Sequence, residues 1–206
     1  MKKIPSTPTN QHLPLFGDYT YKIVEAADLR AVIQQHYDKV FGPTFRLDID
    51  AMLSDIEKEQ LLQLRQNMVN LFRLRILVYH QEEVIGWSFG RQDFIETYYM
   101  TNTGILPTYQ NKGIYTALLP NILEILGRQG FQVVNSRHTA TNNAVIVPKL
   151  KAGFVIKSLE ISDYFGTLVH LAYYFNATRR QAMDLRAGQT PPNKENNLMS
   201  YFPKNN

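Results

Sequence analysis

Residues 96–115, ETYYMTNTGILPTYQNKGIY, decide how the rest of the chain is read. The first half is apolar, aromatic and threonine-rich up to Ile105-Leu106-Pro107. A polar loop follows, and Gly113 opens a long apolar pattern with helical spacing. That order is strand, short loop, helix. A helix N-terminus behind a glycine-containing loop presents unpaired backbone N–H groups and the positive end of the helix dipole, which suits a phosphate or pyrophosphate.

Upstream, residues 71–79 alternate with period two, 81–83 turn, and 84–90 return, a β-hairpin. Before it, 19–24 alternate as a first strand. A helix starting at Ala27 keeps Leu29, Val32, Ile33, His36, Tyr37 and Val40 on one face and stops at Phe41-Gly42-Pro43. A second helical region spans 48–67, an excursion placed to shape a substrate pocket. Downstream, the helix opened by Gly113 keeps Ile114, Leu118, Ile122 and Leu126 on a stripe and stops within 127–130, with Pro120 a local cost. A strand over 131–136, returning across that helix, is expected to run parallel to the strand of 96–106. A short helix over 144–151, β-rich segments over 154–159 and 166–175, and a helix over 177–187 complete the pattern. The fold class is α/β (α+β).

The 206 residues suffice for one domain with a sizeable core. That domain is expected over 17–187, between a flexible arm (1–16) rich in proline and a disordered tail (188–206). Hydrophobic residues at 44% and charged residues at 19% describe an ordinary globular composition. The N-terminus does not read as a signal peptide and no apolar run is long enough to span a bilayer, so a cytoplasmic protein with no membrane partner is expected. Cysteine is absent, which excludes disulfides, thiol nucleophiles and thiolate metal sites. No His/Asp/Glu cluster has ligand spacing, so no metal is expected. The net charge of +4 comes from scattered basic residues, and nucleic acid is not an expected partner.

Two motifs at matching separation carry a resemblance. Ile105 to Tyr109 leads into Gln110-Asn111-Lys112-Gly113-Ile114-Tyr115, which is similar to the Arg/Gln-x-x-Gly-x-Gly/Ala loop of the GNAT superfamily of N-acetyltransferases, departing from it only at Tyr115. Asn142 after the next strand, with Gly153-Phe154 eleven residues on, resembles the second motif of that family. The resemblance covers about 19–175. It implies a GNAT-like mixed, mostly antiparallel sheet with a parallel pair at an acyl-CoA cleft and helices on both faces. It also implies an N-acyltransferase that moves acetyl from acetyl-CoA to a primary amine, on a small molecule or a peptide, by direct attack in a ternary complex. A homodimer is compatible with it. The alternative is a non-catalytic acyl-CoA-binding module.

By that resemblance, the backbone of Thr103, Gly104 and Ile105 contacts pantetheine and helps polarise the thioester. Gln110, Asn111, Lys112, Gly113, Ile114 and Tyr115 hold the pyrophosphate, and Asn142 belongs to the same cofactor set. Many family members place a Tyr four residues before the Gly of Gly-Phe as general acid, where this chain has Lys149. At an ordinary lysine pKa of about 10.4 it is a weak acid, so it is read as solvated or touching a CoA phosphate. The thiolate proton is left to water or Tyr164, and Glu96, the carboxylate at the start of the opening strand, is the candidate base. Tyr98, Tyr99 and Tyr173 are candidate walls of an acceptor pocket, with core packing as the alternative. Only one parity of the strand can face the substrate. His138 and His170, lone histidines on strands, read as structural.

Overall fold

The computed structural model describes residues 10–42, 49–188 and 198. A hairpin of β1 (Leu13–Phe16) and β2 (Tyr19–Ile23) turns at Gly17, whose φ of +49° few other residues adopt. The arm expected over 1–16 therefore ends earlier, because Leu13–Phe16 is the outermost strand of the sheet. Pro14 is tolerated there since β1 pairs on one side only. Residues 1–9 lie outside the described residues. Of the expected tail only 188 and 198 are described, and Leu198 is buried.

Helix α1 (Ala26–Phe41) ends at Gly42. The helical region expected over 48–67 is two helices, α2 (Ile49–Met52) and α3 (Asp55–Gln66). Ser54 divides them with a capping box: its hydroxyl accepts from the Glu57 N–H at 3.3 Å, and the Glu57 carboxylate accepts from the Ser54 N–H at 2.8 Å. Two orphan N–H groups are thus satisfied by starting a new helix rather than continuing the old one. None of the residues of α3 is buried, and Ile56, Leu62 and Leu64 are exposed.

The remaining elements are β3 (Arg73–His80), β4 (Glu83–Phe94), β5 (Thr97–Ile105), α4 (Ile114–Arg128), β6 (Val133–Thr139), α5 (Asn143–Lys151), β7 (Val155–Ser162), β8 (Gly166–Tyr174) and α6 (Ala177–Arg186). Eight strands form one sheet in the order β1-β2-β3-β4-β5-β6-β8-β7. Every neighbouring pair is antiparallel except β5 and β6. Period-two alternation sends Ile76 and Val78 to one face, under Leu118, Leu119, Ile122 and Leu126 of α4, and the register slip between Val78/Gly86 and Tyr79/Val84 turns Ile85 to that face as well. Leu77 and Trp87 point to the other face, under Leu29 of α1. Helices thus cover both faces. Pro120 and Thr116 lie on the exposed side of α4, so the carbonyl that proline leaves without a donor can meet water and the helix continues.

The parallel pair is short. Thr97, Tyr98 and Tyr99 match Val133, Val134 and Asn135, and there the pairing stops. Strand β6 then follows β8 to Thr139, whereas β5 follows β4 to Ile105. The register between β4 and β5 slips between Phe89/Asn102 and Gly90/Met100, leaving Thr101 as the extra residue of a bulge. The sheet opens into a V at the bulge, and the site lies in that opening.

Candidate functional site

One wall of the opening is the edge of β5, which beyond Tyr99 has no strand beside it on the β6 side. Above it sits the loop that leads into α4. A turn of 3-10 helix, Pro107–Tyr109, brings the chain round, and the Gln110 side-chain amide donates to the Ile105 carbonyl at 2.9 Å, tying the loop to the strand end. Asn111 and Gly113 have positive φ of 60° and 78°. Among the described residues, no protein acceptor takes the backbone N–H groups of Asn111 through Thr116. The first intrahelical donor is Ala117, to the Gly113 carbonyl at 2.9 Å. Alternating backbone hand with successive free donors at the positive end of a 15-residue helix makes an anion cradle. Lys112 adds a cation at its rim, its Nζ 5.0 Å from the Tyr109 ring centroid.

Below the loop the opening holds a cavity of about 350 Å³. Of the residues expected at the site, Tyr99, Thr103, Tyr115, Asn142 and Lys149 line it. Asn142 precedes α5 and takes the Val145 and Ile146 N–H groups on its backbone carbonyl, so its side chain has no capping bond and is left to the cavity. Thr103 pairs its hydroxyl with that of Ser88 at 2.8 Å. Tyr115 stands where the loop motif has a small residue, and the structure accommodates it by turning the ring inward. Its hydroxyl is buried with no partner among the described residues, and burial raises its pKa.

Lys149 corrects the sequence reading. It is not solvated: at 1% exposure it is among the most buried side chains. Its Nζ meets the Met100 Sδ at 3.4 Å and lies 5.0 Å from the Phe154 ring centroid, with no carboxylate paired to it among the described residues. Burial lowers its pKa to about 7. The pKa of His138, on the same cavity wall, is lowered to about 3 by burial and then by the charge of Lys149, and its Nε2 is buried without a partner among the described residues. A lysine too weak an acid at its ordinary pKa is, in this position, brought to where its proton is mobile near neutrality.

Other expected site residues lie elsewhere. Glu96 precedes the closed end of the β5–β6 pair and its carboxylate accepts from Arg179 at 2.9 Å, outside the cavity lining. Tyr164 stacks edge-on against Phe165, with ring centroids 4.4 Å apart, and it is Phe165 that lines the cavity. Tyr98 is 2% exposed and packs with Phe72 and Phe131, because its parity faces α4. Tyr173 packs between Phe154 and Phe175, bordering a separate depression beside α4. Gly104 makes a close approach, although to an indole: a Cβ there would lie 2.6 Å from Trp87 Cζ2. Ile105 and Ile114 place their side chains in or against the core, leaving backbone alone for a ligand.

The cavity also has walls that the sequence reading did not single out. Tyr37 and Phe41, one turn apart at the end of α1, line it from the other side of the sheet. Their i, i+4 aromatic spacing was the available signal. Arg137, beyond the last residue of β6 that pairs with β5, donates to the Tyr99 hydroxyl at 3.1 Å and to Glu160 at 2.8 Å. Among the described residues no carboxylate lines the cavity. No group of His, Asp and Glu among them could hold a metal ion, and none of their helices is long and apolar enough to cross a membrane.

Residues 42–154 match the model of the Acetyltransferase (GNAT) family. No curated protein matches the chain. Among solved structures, the ribosomal-protein-S18-alanine N-acetyltransferase of Escherichia coli is 17% identical with a TM-score of 0.57, covering 77% of this chain and 94% of its own. The Salmonella typhimurium protein yncA, held with its cofactor acetyl-CoA, is 16% identical with a TM-score of 0.57 and coverage of 78% and 96%. The ribosomal-protein-S5-alanine acetyltransferase of Vibrio fischeri is 15% identical with a TM-score of 0.57 and coverage of 82% and 98%. At these identities the likeness is one of fold.

Proposed function

The chain belongs to the GNAT family of acetyltransferases, and from that membership we propose an N-acetyltransferase that passes acetyl from acetyl-CoA to a primary amine by direct attack in a ternary complex. The observation that carries the reading is the run of free N–H groups from Asn111 to Thr116 set over the V between β5 and β6. A diphosphate fits the first feature and an extended amide-bearing arm fits the unpaired strand edge, so the residues present suit the donor. Bound there, acetyl-CoA supplies an activated thioester carbonyl.

The chain supplies the rest. The loop backbone and Lys112 hold the phosphates, and the β5 edge at the Thr101 bulge and Thr103 orients the acyl end. Lys149 holds a proton that it can release near neutrality to a leaving sulfur, in place of the tyrosine common in the family. Tyr37, Phe41, Tyr99 and Phe165 enclose the acceptor side and keep water from the acyl group. The acceptor is a small-molecule or peptide amine and the setting is the cytoplasm.

A second reading, a non-catalytic acyl-CoA-binding module, is favoured by one observation, the lack of a carboxylate base among the described lining residues. Two measurements separate these readings. A ligand at about a hundred times its Kd should add roughly 2.7 kcal/mol, a rise of about 5–10 °C in Tm for a chain of this size. No shift with CoA or acetyl-CoA removes both readings. Given a shift, thiol release with a panel of amines supports the enzyme, and none across the panel supports the binding module.

A further inference from the structure

We propose that Lys149 is itself an acyl acceptor, so that the acyl-CoA-loaded protein acylates its own buried amine. The proposal rests on the acyl-CoA reading of the opening.

The amine is in the wall of the cavity that the acyl end would enter, and among the described residues no carboxylate lines that cavity to hold it charged. Its Nζ touches a thioether and the face of a ring, contacts that an uncharged nitrogen keeps. An ammonium at this position has given up its water without compensation, whereas a secondary amide is neutral and carries one donor and one acceptor. Two buried polar atoms on the same cavity wall have no partner among the described residues: the Tyr115 hydroxyl, which can donate to an amide carbonyl, and His138 Nε2, which can accept from an N–H. The modified side chain is therefore better matched to its surroundings than the unmodified one.

The step balances without a further reagent. The Nζ lone pair attacks the thioester carbon, the C–N bond forms, and the C–S bond breaks with its electron pair passing to sulfur. The proton lost by nitrogen goes to that thiolate, giving an Nε-acyl-lysine and free CoA thiol. The amide does not pass its acyl group on, so the reaction ends in a modified protein that has lost its proton donor. Without an amine acceptor, acyl-CoA would thus switch the protein off slowly.

The titratable groups that share the cavity lining with Lys149 are His138 and Arg137 from β6, Tyr115 from α4 and Tyr99 from β5, and among the described lining residues none is a carboxylate. The neutral fraction of the amine should follow its own titration.

The test is intact and peptide mass spectrometry of the full chain incubated with acetyl-CoA and no amine, after thermal stabilisation by plain CoA has established binding. The expected result is one acetyl group, located on Lys149, forming about tenfold faster at about pH 8 than at about pH 6. A lysine in solvent, far below its pKa at both values, would speed up about a hundredfold over the same interval. Gly113→Glu, designed to lose CoA, should lose the modification while exposed lysines react as before. Stabilisation by CoA with Lys149 unmodified overturns this proposal and leaves the acyl-CoA reading standing. Modification of Lys149 that persists at the same rate in a Gly113→Glu protein no longer stabilised by CoA overturns the proposed transfer from the bound donor.

Discussion

Replacing Lys149 with methionine should make the protein more stable, and by an amount that depends on pH. Methionine matches the length of the lysine stem and its thioether suits a site walled by Met100 and Phe154. The lysine pKa falls from 10.5 to about 7 through burial. Between those pH values the unfolded chain binds a proton that the folded chain does not, so wild-type stability rises with pH across that window. At about 1.4 kcal/mol per pH unit, the penalty present at neutrality and below amounts to roughly 4–5 kcal/mol, and it vanishes as the pH approaches the unfolded value. The assay is urea unfolding of both proteins side by side from about pH 6 to about pH 10, comparing midpoints at equal m. Subtracting one from the other cancels every group but this one and His138, whose pKa the Lys149 charge also lowers. The variant should lead by several kcal/mol at low pH and lose most of that lead by about pH 10, while its thiol-release rate falls by about 10²–10⁴. A difference that stays flat with pH would show that Lys149 is not buried uncompensated, and the reasoning on its proton would go with it.

Three further outcomes follow from named contacts. Gly104→Ala puts a Cβ 2.6 Å from Trp87 Cζ2, and because that indole is fully buried the strand must give way, at a cost of about 1–3 kcal/mol; an unchanged urea midpoint would mean the two strands are not so closely set. Gly113→Glu places a carboxylate and a side chain of unfavoured hand at the cradle, where φ is 78°. The stabilisation by CoA should disappear, with Gly113→Ala retaining it in part as the control for strain, and undiminished affinity in the Glu variant would sink the loop assignment. Glu96→Gln breaks an exposed pair with Arg179 worth at most about 1 kcal/mol and leaves the cavity untouched. Its kcat should stay within about twofold of wild type, and a hundredfold loss would return Glu96 to the mechanism as base.

The strand-loop-helix of 96–115 and the hairpin before it were legible because period two and period 3.6 are local properties, and each ended at a residue with a turn preference. The loop was legible for the same reason: Gly113 is needed for its backbone hand, and Gln110 binds the adjacent Ile105 carbonyl. What could not be read is which side of β5 faces the opening. Tyr98 and Met100 point to α4, yet so does Thr103, because the bulge at Thr101 changes the parity midway. A strict alternation carried from Tyr98 therefore misplaces everything after Met100. The strand of Leu13–Phe16 was hidden by its proline, harmless on an edge but usually disqualifying. The break at Ser54 was written in the sequence as Ser-x-x-Glu and was masked by the apolar spacing on either side.

Lys149 was unreadable for a deeper reason. Its neighbours in sequence, Pro148 and Leu150, say nothing of depth, and a lysine in the last turn of a nine-residue helix ordinarily reaches solvent. Here the helix is laid so that this side chain, one turn on from Val145, enters the sheet opening, where it meets Met100 from the strand before the bulge. Lys149 and Glu96 therefore exchange the weights they had on sequence. Glu96 sits half-exposed beside Arg179 and outside the cavity, while Lys149 has neither water nor a charged partner among the described residues, which costs stability and makes its proton available near neutrality. A protein that only bound its ligand would gain from an apolar residue at 149, so a charge this expensive at the acyl end of the opening argues for proton transfer there, and the thiol-release rate of Lys149→Met measured beside its stability decides it.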